Sequence, residues 1–502
     1  MADDLEVPVC RSSAPKIRHD GPDLRRDAAA GGEDDGYRYP FEIPSEDDVK
    51  FGDGAIQDRP AGLPASYDEG GSTRWTPDAI AEVHALAQLG RYQVRGYNCF
   101  NKQMPTFDDL TFVPATMTRL PLEGYRESCD TTTVLGAGRG LVEKPLKLKI
   151  PIYIASMSFG ALSASAKASL GYAASKVGTM TCTGEGGMLE DEREASQTLV
   201  YQMSPARYGI DLDHLRQADG IEIVVGQGAK PGTGGLLLGM KVSERVSKMR
   251  TLPEGVDQRS TIRHPDFLGA DDLAVKIEEL RIATNYQAPI FIKMGATRPR
   301  FDVAIAAKAG ADVVVVDGAE GGTGASPELL LNHTGIPTMS AIRAAREALD
   351  DCGMTGKVDL VAAGGIRSGV DAAKCLALGA DAVMIGNGAM MALGCNSPRY
   401  LEDYQKLGTS PGACHHCHTG LCPVGIATQD AELEKRMHVP AGAERVARYL
   451  TAMTMEITSL AKACGKSSAH NLEVEDLRAL SFEASAFTGV KMAGIDRAFS
   501  WD

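Results

Sequence analysis

The sequence predicts an α/β protein organised around a (β/α)8 barrel of the TIM type. From residue 150 onwards, short apolar strands end in glycine-rich turns and alternate with alanine-rich amphipathic helices. Continuous apolar strands between amphipathic helices are typical of a parallel sheet covered by helices. Seven or eight such units lie between residues 150 and 394, and this number favours a closed barrel of about 250 residues over an open, doubly wound sheet.

The strands and helices of the predicted barrel follow one another in a regular order. The first strand, 151–155, precedes a helix at 164–177, and a later strand, 221–225, runs into a long glycine loop. Each predicted strand is short and almost wholly apolar, as expected for strands buried on both faces. The other predicted strands cover 290–293, 313–316, 360–363 and 382–385, and the other predicted helices cover 271–284, 301–309, 340–349 and 370–378.

Two segments precede the predicted barrel. Residues 1–75 are rich in Asp, Gly, Pro and Arg without periodicity, which indicates a flexible or partner-wrapping N-terminal arm with no fold of its own. Residues 76–149 form a lead-in segment that begins with a helix at 76–93, where a threonine cap is followed by proline in the first turn. The lead-in ends in an alternating strand at 145–150.

Two further segments follow the predicted barrel. Residues 395–430 form an inserted cysteine loop directly after the last barrel unit. Residues 431–502 form a C-terminal helical extension, with helices predicted at 443–463 and 474–487. These helices are expected to cap the barrel or to form an interface.

Composition and charge exclude several classes of protein. The chain has 502 residues, 43% of them hydrophobic, and a formal net charge of −14. That charge argues against binding to nucleic acid or to anionic membranes, because both need a basic surface. No apolar run reaches the roughly eighteen residues of a membrane span, and the acidic start lacks a secretory signal. Eleven cysteines, an odd number, are typical of reduced thiols and predict a cytoplasmic protein.

The most distinctive motif is the spacing C-x2-C-x4-C, formed by Cys414, Cys417 and Cys422 and closed by Pro423. Thiolates this close in sequence can surround one inorganic centre, and proline after the last cysteine is common in iron–sulfur loops. Zinc is an alternative, because Cys and His at short spacing suit tetrahedral coordination and the loop contains three histidines. Reduced or disulfide-forming thiols are a third interpretation.

Two glycine turns follow the last two predicted strands, Gly364-Gly365 and Gly386-Asn387-Gly388. In β/α barrels these loops hold phosphate, because glycine lets backbone N–H groups approach the phosphate oxygens. One such turn alone would indicate only a tight turn, but two on consecutive strands predict a phosphate site. Arg367 is a candidate counter-charge, although an arginine here is as often a solvated residue at the start of a helix.

Other predicted strand ends carry polar side chains and glycines. A lysine at a barrel mouth is usually functional, because an unpaired ammonium buried inside costs several kcal/mol. Lys293 and Lys230 fit this description, and Glu185 is a third candidate, with a structural ion pair as the alternative. A barrel that holds a phosphate and a planar ring beside a cysteine loop predicts flavin mononucleotide (FMN) next to an iron–sulfur cluster. The other strand-end residues expected to bind the cofactor are Ser156, Met157, Ser158, Thr183, Gln227, Gly321, Gly322 and Thr323.

Five strings resemble, in order and spacing, the flavin-binding synthase region of glutamate synthase. The resemblance spans roughly residues 105–490. It implies FMN, a [3Fe–4S] cluster and a site where an imine of 2-oxoglutarate is reduced to an amino acid. It also adds Gln202 to the residues expected to contact FMN. The five strings are 155–160, 183–187, 227–232, 321–327 and 417–429.

The cysteine loop departs from the pattern of that family. The family usually has C-x5-C-x4-C, and Cys417 and Cys422 match its second and third cysteines. Cys395 lies where the first would be, but residues 396–413 are inserted after it and Cys414 follows the insertion. We therefore expect Cys414, Cys417 and Cys422 to be the ligands, with Cys395 as a candidate fourth ligand of a [4Fe–4S] cluster.

The amidotransferase domain and the β-helix of large glutamate synthase chains have no counterpart in these 502 residues. The chain is therefore similar to the branch in which these parts are separate subunits, as in N-methylglutamate synthase. That resemblance implies a hetero-oligomer with amidotransferase-like and β-helix-like partner subunits. It also implies that glutamate and methylamine form N-methylglutamate through 2-iminoglutarate, with release of ammonia. Glu185 would carry a proton, and Lys230 or Arg207 would hold a substrate carboxylate.

Two other functions are alternatives. One is the glutamate synthase reaction, in which 2-oxoglutarate is reductively aminated with ammonia from a partner amidotransferase. The other is a non-enzymatic subunit that holds a cluster or zinc for a partner, and a chain that binds no flavin would favour it.

Overall fold

The computed structural model describes residues 92–97 and 102–495, together with several positions between 80 and 90. All of these residues belong to one compact unit, Phe51–Asp502. The N-terminal arm predicted for residues 1–75 lies outside the described residues.

Within the described residues, eight parallel strands form the central barrel, and the predicted fold class is confirmed. Each strand is hydrogen-bonded to the next one along the chain, from the second strand to the last, and the last pairs with the first. The ring closes between the first two strands, where the N–H of Ile154 donates to the carbonyl of Met180 at 3.1 Å. The strands are β1 (Ile152–Ile154), β2 (Thr181–Cys182), β3 (Leu199–Met203), β4 (Gly220–Val224), β5 (Ile290–Gly295), β6 (Val313–Asp317), β7 (Asp359–Ala363) and β8 (Ala382–Ile385).

Helices cover the outside of this barrel. The last of them packs against both the first and the seventh, so it takes the eighth place in the outer ring. The sequence pattern had placed this helix outside the barrel, because the cysteine loop separates it from β8. The outer helices are α1 (Ala164–Val177), α2 (Glu190–Ala195), α3 (Leu212–Gln217), α4 (Ala270–Ala283), α5 (Pro299–Ala309), α6 (Thr338–Asp351), α7 (Gly369–Ala377) and α8 (Val439–Ala463).

The strands and helices form where apolar patterns and caps favour them. All residues of β3, β6 and β8 are buried, because each strand lies between the barrel interior and the surrounding helices. Helix α1 begins after Ser163, whose side chain accepts a hydrogen bond from the N–H of Ala166. It ends at Gly178, which has a φ of 76° that favours glycine.

Strand β3 was not predicted from the sequence. Only the short helix α2 separates it from β2, so the regular alternation of strand and long helix is interrupted there. Its five residues are nevertheless a continuous buried run, which is the signal that could have identified it.

The helix predicted at 474–487 is wrong. The segment instead contains a 3-10 turn at Val474–Asp476, the strand Leu477–Ala479 and the helix Phe482–Thr488. The strand forms because it finds an antiparallel partner in Leu110–Phe112, a long-range contact that no local pattern reveals.

The lead-in segment contains less helix than predicted. The described positions from 80 to 88 are helical, but Gly90 has a φ of 59° and Val94–Tyr97 is a strand. The predicted helix at 76–93 therefore ends early. Val94–Tyr97 pairs with Thr323–Pro327, the loop strand after β6.

Short elements complete the described structure. The strand predicted at 145–150 is present as Leu146–Leu148, which pairs with Thr133–Leu135. No helix in the described part of the chain is both long enough and apolar enough to cross a membrane. The other elements are Phe107–Asp109, Leu236–Leu237, Gly239–Lys241, Glu244–Arg250, Gln258–Arg259, Glu328–His333, Asn387–Leu393, Pro398–Tyr400, Leu401–Lys406, His416–His418, Ala431–Glu434 and Ala469–Asn471.

Candidate active site

A cavity of about 800 Å³ opens at the carboxyl ends of the barrel strands, within the usual size range of ligand sites. Its lining combines loops that follow the strands with Tyr97 from the lead-in and Cys417 from the cysteine loop. The structure therefore brings the predicted ring site, phosphate site and cysteine loop to one place. The predicted residues that line it are Ser156, Met157, Ser158, Glu185, Gln202, Gln227, Lys230, Lys293, Gly321, Gly322, Thr323, Gly364, Gly365, Arg367, Gly386, Asn387, Gly388 and Cys417.

A chain of hydrogen bonds crosses the strand ends. Gln202 Nε2 donates to Ser156 Oγ at 2.8 Å and to Glu222 Oε1 at 2.7 Å. Lys293 Nζ donates to Ser156 Oγ at 3.1 Å and lies 3.8 Å from Asp317 Oδ2. We call these five residues the strand-end wall. Glu222 and Asp317 were not predicted as site residues, because a single acid in or after an apolar strand has no motif around it.

Thr183 supports this wall from behind and does not line the cavity, contrary to its predicted contact with the cofactor. It is fully buried, and its Oγ1 accepts from the N–H of Gln202 at 2.9 Å. A buried lysine that was not predicted, Lys167, donates to the carbonyls of Met157 at 2.5 Å and Thr183 at 2.9 Å and pairs with Glu192 at 2.7 Å. Lys167 thereby ties together the loops that follow β1 and β2.

The two glycine turns predicted to hold phosphate both line the cavity, after β7 and β8. Gly364 and Gly365 have φ angles of 105° and 70°, which glycine tolerates and other residues rarely adopt. At Gly386 an added Cβ would meet only the Cβ of Ala155, at 3.6 Å, so the absent side chain leaves room beside the backbone. These turns present main-chain groups to the cavity, as a phosphate site requires.

The expected counter-charge for the phosphate needs revision. Arg367 lines the cavity, but its guanidinium pairs with Asp108 at 2.8 Å and with Asp371 at 3.1 Å. Hydrogen bonds to these carboxylates raise its pKa well above the ordinary value. Arg445 of α8 also lines the cavity and donates to the carbonyl of Ala392 at 3.2 Å. It was not predicted, because no motif surrounds it in the sequence of α8.

Glu185 and Lys230 lie together in one corner of the cavity. Lys230 is buried and donates to the carbonyl of Ala325 at 3.0 Å. Burial lowers its pKa, and the nearby Glu185 opposes that effect. Glu185 Oε2 accepts from Ser260 Oγ at 3.0 Å, and a Cβ at Gly235 would lie 1.8 Å from Glu185 Oε1. A carboxyl group and an ammonium group therefore share this corner.

Arg207 does not join this corner, and its predicted substrate contact does not fit its position. It is absent from the cavity lining among the described residues, and its guanidinium donates to His264 Nδ1 at 2.9 Å and pairs with Asp266. His264 Nε2 donates to the carbonyl of Val224 at 2.7 Å, so both ring nitrogens are engaged and the imidazole is neutral. Burial, reinforced by Arg207, lowers the pKa of His264 to about 4. Arg207 therefore holds the loop after β4.

A second cation near Glu185 was not predicted. Arg250 is buried, and its Nη2 donates to Ser158 Oγ at 3.1 Å and to the carbonyl of Phe159 at 2.7 Å. Burial lowers its pKa, and Glu185 opposes that effect. Its Nε is buried with no hydrogen-bond partner among the described residues. Arg250 ends a helix inside the long loop after β4, which the sequence showed only as a glycine loop.

Another side of the cavity is built from the lead-in and the cysteine loop. The N–H of Gly96 donates to the carbonyl of His415 at 3.0 Å. A Cβ at Gly96 would lie 2.7 Å from the carbonyl oxygen of Gly324 and 2.8 Å from the Cβ of Cys417, so only glycine fits there. We call the following set the cysteine wall: Gly96, Tyr97, Lys241, Tyr404, His415, Cys395, Cys414, Cys417 and Cys422.

The four cysteines of this wall lie near one another. Burial, reinforced by Cys422 and Cys414, raises the pKa of the Cys417 thiol to about 12. Burial also raises the pKa of Cys395, reinforced by the other three thiols, so Cys395 joins them despite the insertion. Among the described residues, no group of three or more His, Cys, Asp or Glu side chains could hold a single metal ion. One zinc ion needs every sulfur at about 2.3 Å, whereas a cluster attaches each thiolate to a different iron.

Lys241 and Tyr97 join the cysteine loop to the cavity. Lys241 is buried and donates to the carbonyls of Ala161 and Cys417, both at 2.8 Å. Burial lowers its pKa to about 8, and the thiols of Cys417 and Cys422 oppose that effect. Burial, reinforced by the cysteines, raises the pKa of Tyr97 to about 12. Neither residue belongs to a sequence motif, and neither was predicted.

Tyr404 comes from the insertion between Cys395 and Cys414. Its hydroxyl is buried and donates to no acceptor among the described residues, while the N–H of Asn396 lies near its oxygen. Burial raises its pKa, reinforced by Cys395, Cys414 and Cys422. A buried hydroxyl hydrogen without an acceptor needs an explanation, and one beside three thiols fits a site built for a further acceptor, such as a sulfur of an iron–sulfur cluster.

The arrangement fits both predicted cofactors. The strand-end wall offers donors and an acceptor to a planar ring, and the glycine turns offer main-chain groups to a phosphate. The neighbouring thiols and the hydroxyl of Tyr404 fit an iron–sulfur cluster. Thiols that raise one another's pKa become stable thiolates only when a cation binds them.

Comparison with known proteins agrees with this geometry. Residues 88–467 match the family described as "Conserved region in glutamate synthase". A "Glutamate synthase large subunit-like protein" of Rhizobium meliloti (strain 1021) is 55% identical over 415 residues, covering 83% of this chain and 93% of that protein. An archaeal glutamate synthase (NADPH) of Methanocaldococcus jannaschii is 36% identical over 422 residues, covering 79% of this chain and 80% of that protein. An archaeal-type glutamate synthase (NADPH) of Dehalococcoides mccartyi is 35% identical over 441 residues, with coverages of 84% and 85%.

Proposed function

The chain belongs to the glutamate synthase family, and from this premise we propose that it is the flavin- and cluster-binding subunit of an N-methylglutamate synthase. The observation that carries the proposal is the cavity shared by the strand-end wall, the two glycine turns and the cysteine wall. A ring bound at the first and a cluster bound at the last would be neighbours. The proposed cofactors are FMN and an iron–sulfur cluster, with [3Fe–4S] favoured over [4Fe–4S].

The strand-end wall and the glycine turns would hold FMN. Ser156, Gln202 and Lys293 would face its ring, and the turns 364–365 and 386–388 would face its phosphate. Bound FMN would supply reversible hydride transfer at the α-carbon of the substrate. The ammonium of Lys293 stabilises negative charge that develops beside it, because it is fixed in a buried site.

The corner with Glu185 and Lys230 would bind the amino acid. Lys230 lines the cavity, and the charge of Glu185 acts on its ammonium group. Lys230 would hold a carboxylate of glutamate. Glu185 would exchange a proton with the amine nitrogen at its free carboxyl oxygen, so that ammonia can leave and methylamine can enter. Glutamate and methylamine give N-methylglutamate and ammonia, and the overall reaction needs no external reductant.

The arrangement in separate subunits follows from the resemblance to the N-methylglutamate synthase branch and is part of the proposal. We propose amidotransferase-like and β-helix-like subunits as the partners of this chain in a hetero-oligomer.

A second candidate function is the glutamate synthase reaction. It is favoured by the names of the Methanocaldococcus jannaschii and Dehalococcoides mccartyi relatives, which are both called glutamate synthases. In that reaction 2-oxoglutarate, ammonia, two electrons and the accompanying protons would give glutamate and water. The same corner would hold the 2-oxoglutarate carboxylates.

The test uses the full chain together with its partner subunits. The preparation is analysed for FMN, iron and sulfide, and is then incubated with glutamate and 15N-labelled methylamine without a reductant. Labelled N-methylglutamate in the mass spectrum supports the proposal. Glutamate formed only from 2-oxoglutarate, ammonium and a reductant supports the second candidate. A preparation that binds no FMN and makes neither product overturns both.

A pair of variants assigns the proton carrier in the same assay. Glu185→Gln removes the titratable group and is expected to lower kcat about 100-fold. Glu190→Gln is the matched control, because Glu190 is exposed at the start of α2. Equal rates for the two variants would remove Glu185 from the mechanism.

A further inference from the structure

A buried carboxylate lies beneath the cavity where the fold does not require one. Glu222 of β4 is 1% exposed, and its register partner on β5 is Phe291. The side chains that fill the barrel interior around Phe291 are largely apolar, among them Val200 and Val315. An acid buried there is unfavourable unless its oxygens accept hydrogen bonds, so Glu222 must serve the groups that donate to it.

The direction of the hydrogen bonds shows what Glu222 does. A carboxylate only accepts, whereas the oxygen and nitrogen of an amide have nearly the same shape and can exchange places. Gln202 must therefore turn its NH2 group towards Glu222, at 2.7 Å. The other hydrogen of the same group donates to Ser156 Oγ at 2.8 Å. Both hydrogens are used, so Gln202 Oε1 remains as an acceptor for the cavity.

The orientation of Gln202 also determines the orientation of Ser156. Ser156 Oγ accepts from Gln202 Nε2 at 2.8 Å and from Lys293 Nζ at 3.1 Å. A hydroxyl has two acceptor sites and one hydrogen, so the hydrogen of Ser156 is left to point into the cavity that this residue lines. The cavity surface thus carries an acceptor at Gln202 beside donors at Ser156 and Lys293.

We propose that Glu222 is a positioning residue that fixes the hydrogen-bond polarity of the strand-end wall for the flavin ring. The inference rests on the proposed function, because it concerns FMN. An acceptor beside donors complements the imide edge of the flavin, where one N–H lies between two carbonyl groups. A rotated Gln202 amide would present N–H groups to that N–H, and the ring would then lose its fit.

The first test is the variant Glu222→Gln in the full chain. A glutamine at 222 can donate or accept, so both orientations of Gln202 are allowed. The FMN dissociation constant, measured by quenching of flavin fluorescence, should rise about tenfold, and the absorption bands of bound FMN should shift. Cys182→Ala is the matched control. Cys182 Sγ donates to the same oxygen of Glu222 at 3.7 Å, but it does not determine the orientation of the Gln202 amide. Unchanged affinity and bands in E222Q overturn the proposal.

A double-mutant cycle separates positioning from a structural role. If Glu222 acts through Gln202, the variant Gln202→Met should bind FMN as weakly as the pair Q202M/E222Q. Additive losses would overturn the proposal. If the E222Q chain does not fold, the pair Q202M/E222M replaces both partners by apolar groups, and its FMN affinity must equal that of Q202M. A wild-type chain that binds no FMN would overturn the proposed function itself, which is a distinct outcome.

Discussion

The strand-end wall and the cysteine wall are held together by different kinds of contact. In the strand-end wall, side chains bond directly to side chains, as in the contacts of Gln202 with Ser156 and Glu222. In the cysteine wall, the shorter contacts run through the main chain, as in the bond from the N–H of Gly96 to the carbonyl of His415 and those from Lys241 to two carbonyls. Its side-chain contacts are longer bonds to sulfur, such as that from Asn396 Nδ2 to Cys395 Sγ at 3.4 Å.

This difference predicts how each wall fails. Side-chain contacts in a buried site depend on charge and on donor or acceptor identity, because an unpaired group there is costly. Main-chain contacts are available to any residue, so they depend on whether the side chain fits. A lost charge should damage the strand-end wall most, and an added methyl group should damage the cysteine wall most.

The largest effect is expected for Lys293→Met in the strand-end wall. Lys293 is buried, donates to Ser156 and lies 3.8 Å from Asp317. Its removal leaves a buried carboxylate without its cation, which should lower the free energy of unfolding by about 3 kcal/mol. FMN-dependent turnover should fall at least about 100-fold, because the ammonium beside the ring is gone. Urea denaturation and the N-methylglutamate assay measure the two effects.

The double variant Lys293→Met/Asp317→Asn is the control for that prediction. It removes both charges, so most of the lost stability should return while the turnover stays low. If K293M is as stable as the wild type, charge pairing does not hold this wall together and the comparison of the two walls fails.

The next effect is expected for Gly96→Ala in the cysteine wall. The added Cβ would lie 2.7 Å from the Gly324 carbonyl oxygen and 2.8 Å from the Cβ of Cys417, so the strand or the cysteine loop must move. Overpacking of this kind should lower the free energy of unfolding by about 2 kcal/mol. The iron and sulfide content of the purified protein should fall with it. Gly124→Ala is the matched control, since an added Cβ at Gly124 meets nothing within 4 Å. Equal iron content in the two variants would contradict the prediction.

The strand-end wall could be predicted in part from the sequence pattern, which indicates Ser156 and Lys293, whereas Gln202 follows only from the family resemblance. Its residues follow apolar strands, and parallel strands of a barrel must end on one face. Ser156, Lys293 and the glycine turns could therefore be placed together without coordinates. Glu222 and Asp317 could not, because the value of an acid in or after an apolar strand depends on neighbours that only the barrel brings close.

The cysteine wall could be predicted only in part. The spacing of Cys414, Cys417 and Cys422 indicates a metal or cluster site by itself, because the ligands are close along the chain. Tyr97 and Lys241 both lie more than a hundred residues before that loop in the sequence. Contacts to the main chain bring them to it. No pattern records such contacts, since a carbonyl accepts from any partner.

A smaller, pH-dependent effect is expected at His264, which ties the loop after β4 to the carbonyl of Val224. Its pKa in the folded protein, about 4, lies below its ordinary value of 6.5. Its contribution to stability is therefore present above pH 6.5 and is lost as the pH falls through 4. His264→Gln keeps one donor and one acceptor but does not titrate. Between pH 7 and pH 4 the wild type should lose about 2 kcal/mol more than this variant in urea denaturation.

His333→Gln is the control for replacing a histidine by glutamine as such, because His333 is exposed. Its stability at pH 7 should equal that of the wild type. Parallel curves for the wild type and H264Q would show that the loop after β4 is not sensitive to acid, and the prediction would fail.

The smallest effect is expected for Tyr404→Phe in the cysteine wall. Its sign should differ between the iron-free protein and the protein with a cluster. Without a cluster, the buried Tyr404 hydroxyl has no acceptor for its hydrogen among the described residues, so its removal should stabilise the iron-free protein by about 1 kcal/mol. With a cluster in place, the hydroxyl would donate to a sulfur and favour the reduced state. Tyr404→Phe should then lower the reduction potential of the cluster by roughly 40 mV, the equivalent of about 1 kcal/mol for one electron.

The matched control for Tyr404 is Tyr125→Phe, because the Tyr125 side chain is 79% exposed. It should change neither the stability of the iron-free protein nor the potential. A hydroxyl that stabilises the iron-free chain would have a partner within the protein, and the cysteine wall would then be complete without a cluster. Opposite signs in the two states would instead mean that this wall, like the strand-end wall, reserves a side-chain hydrogen bond for the group it binds.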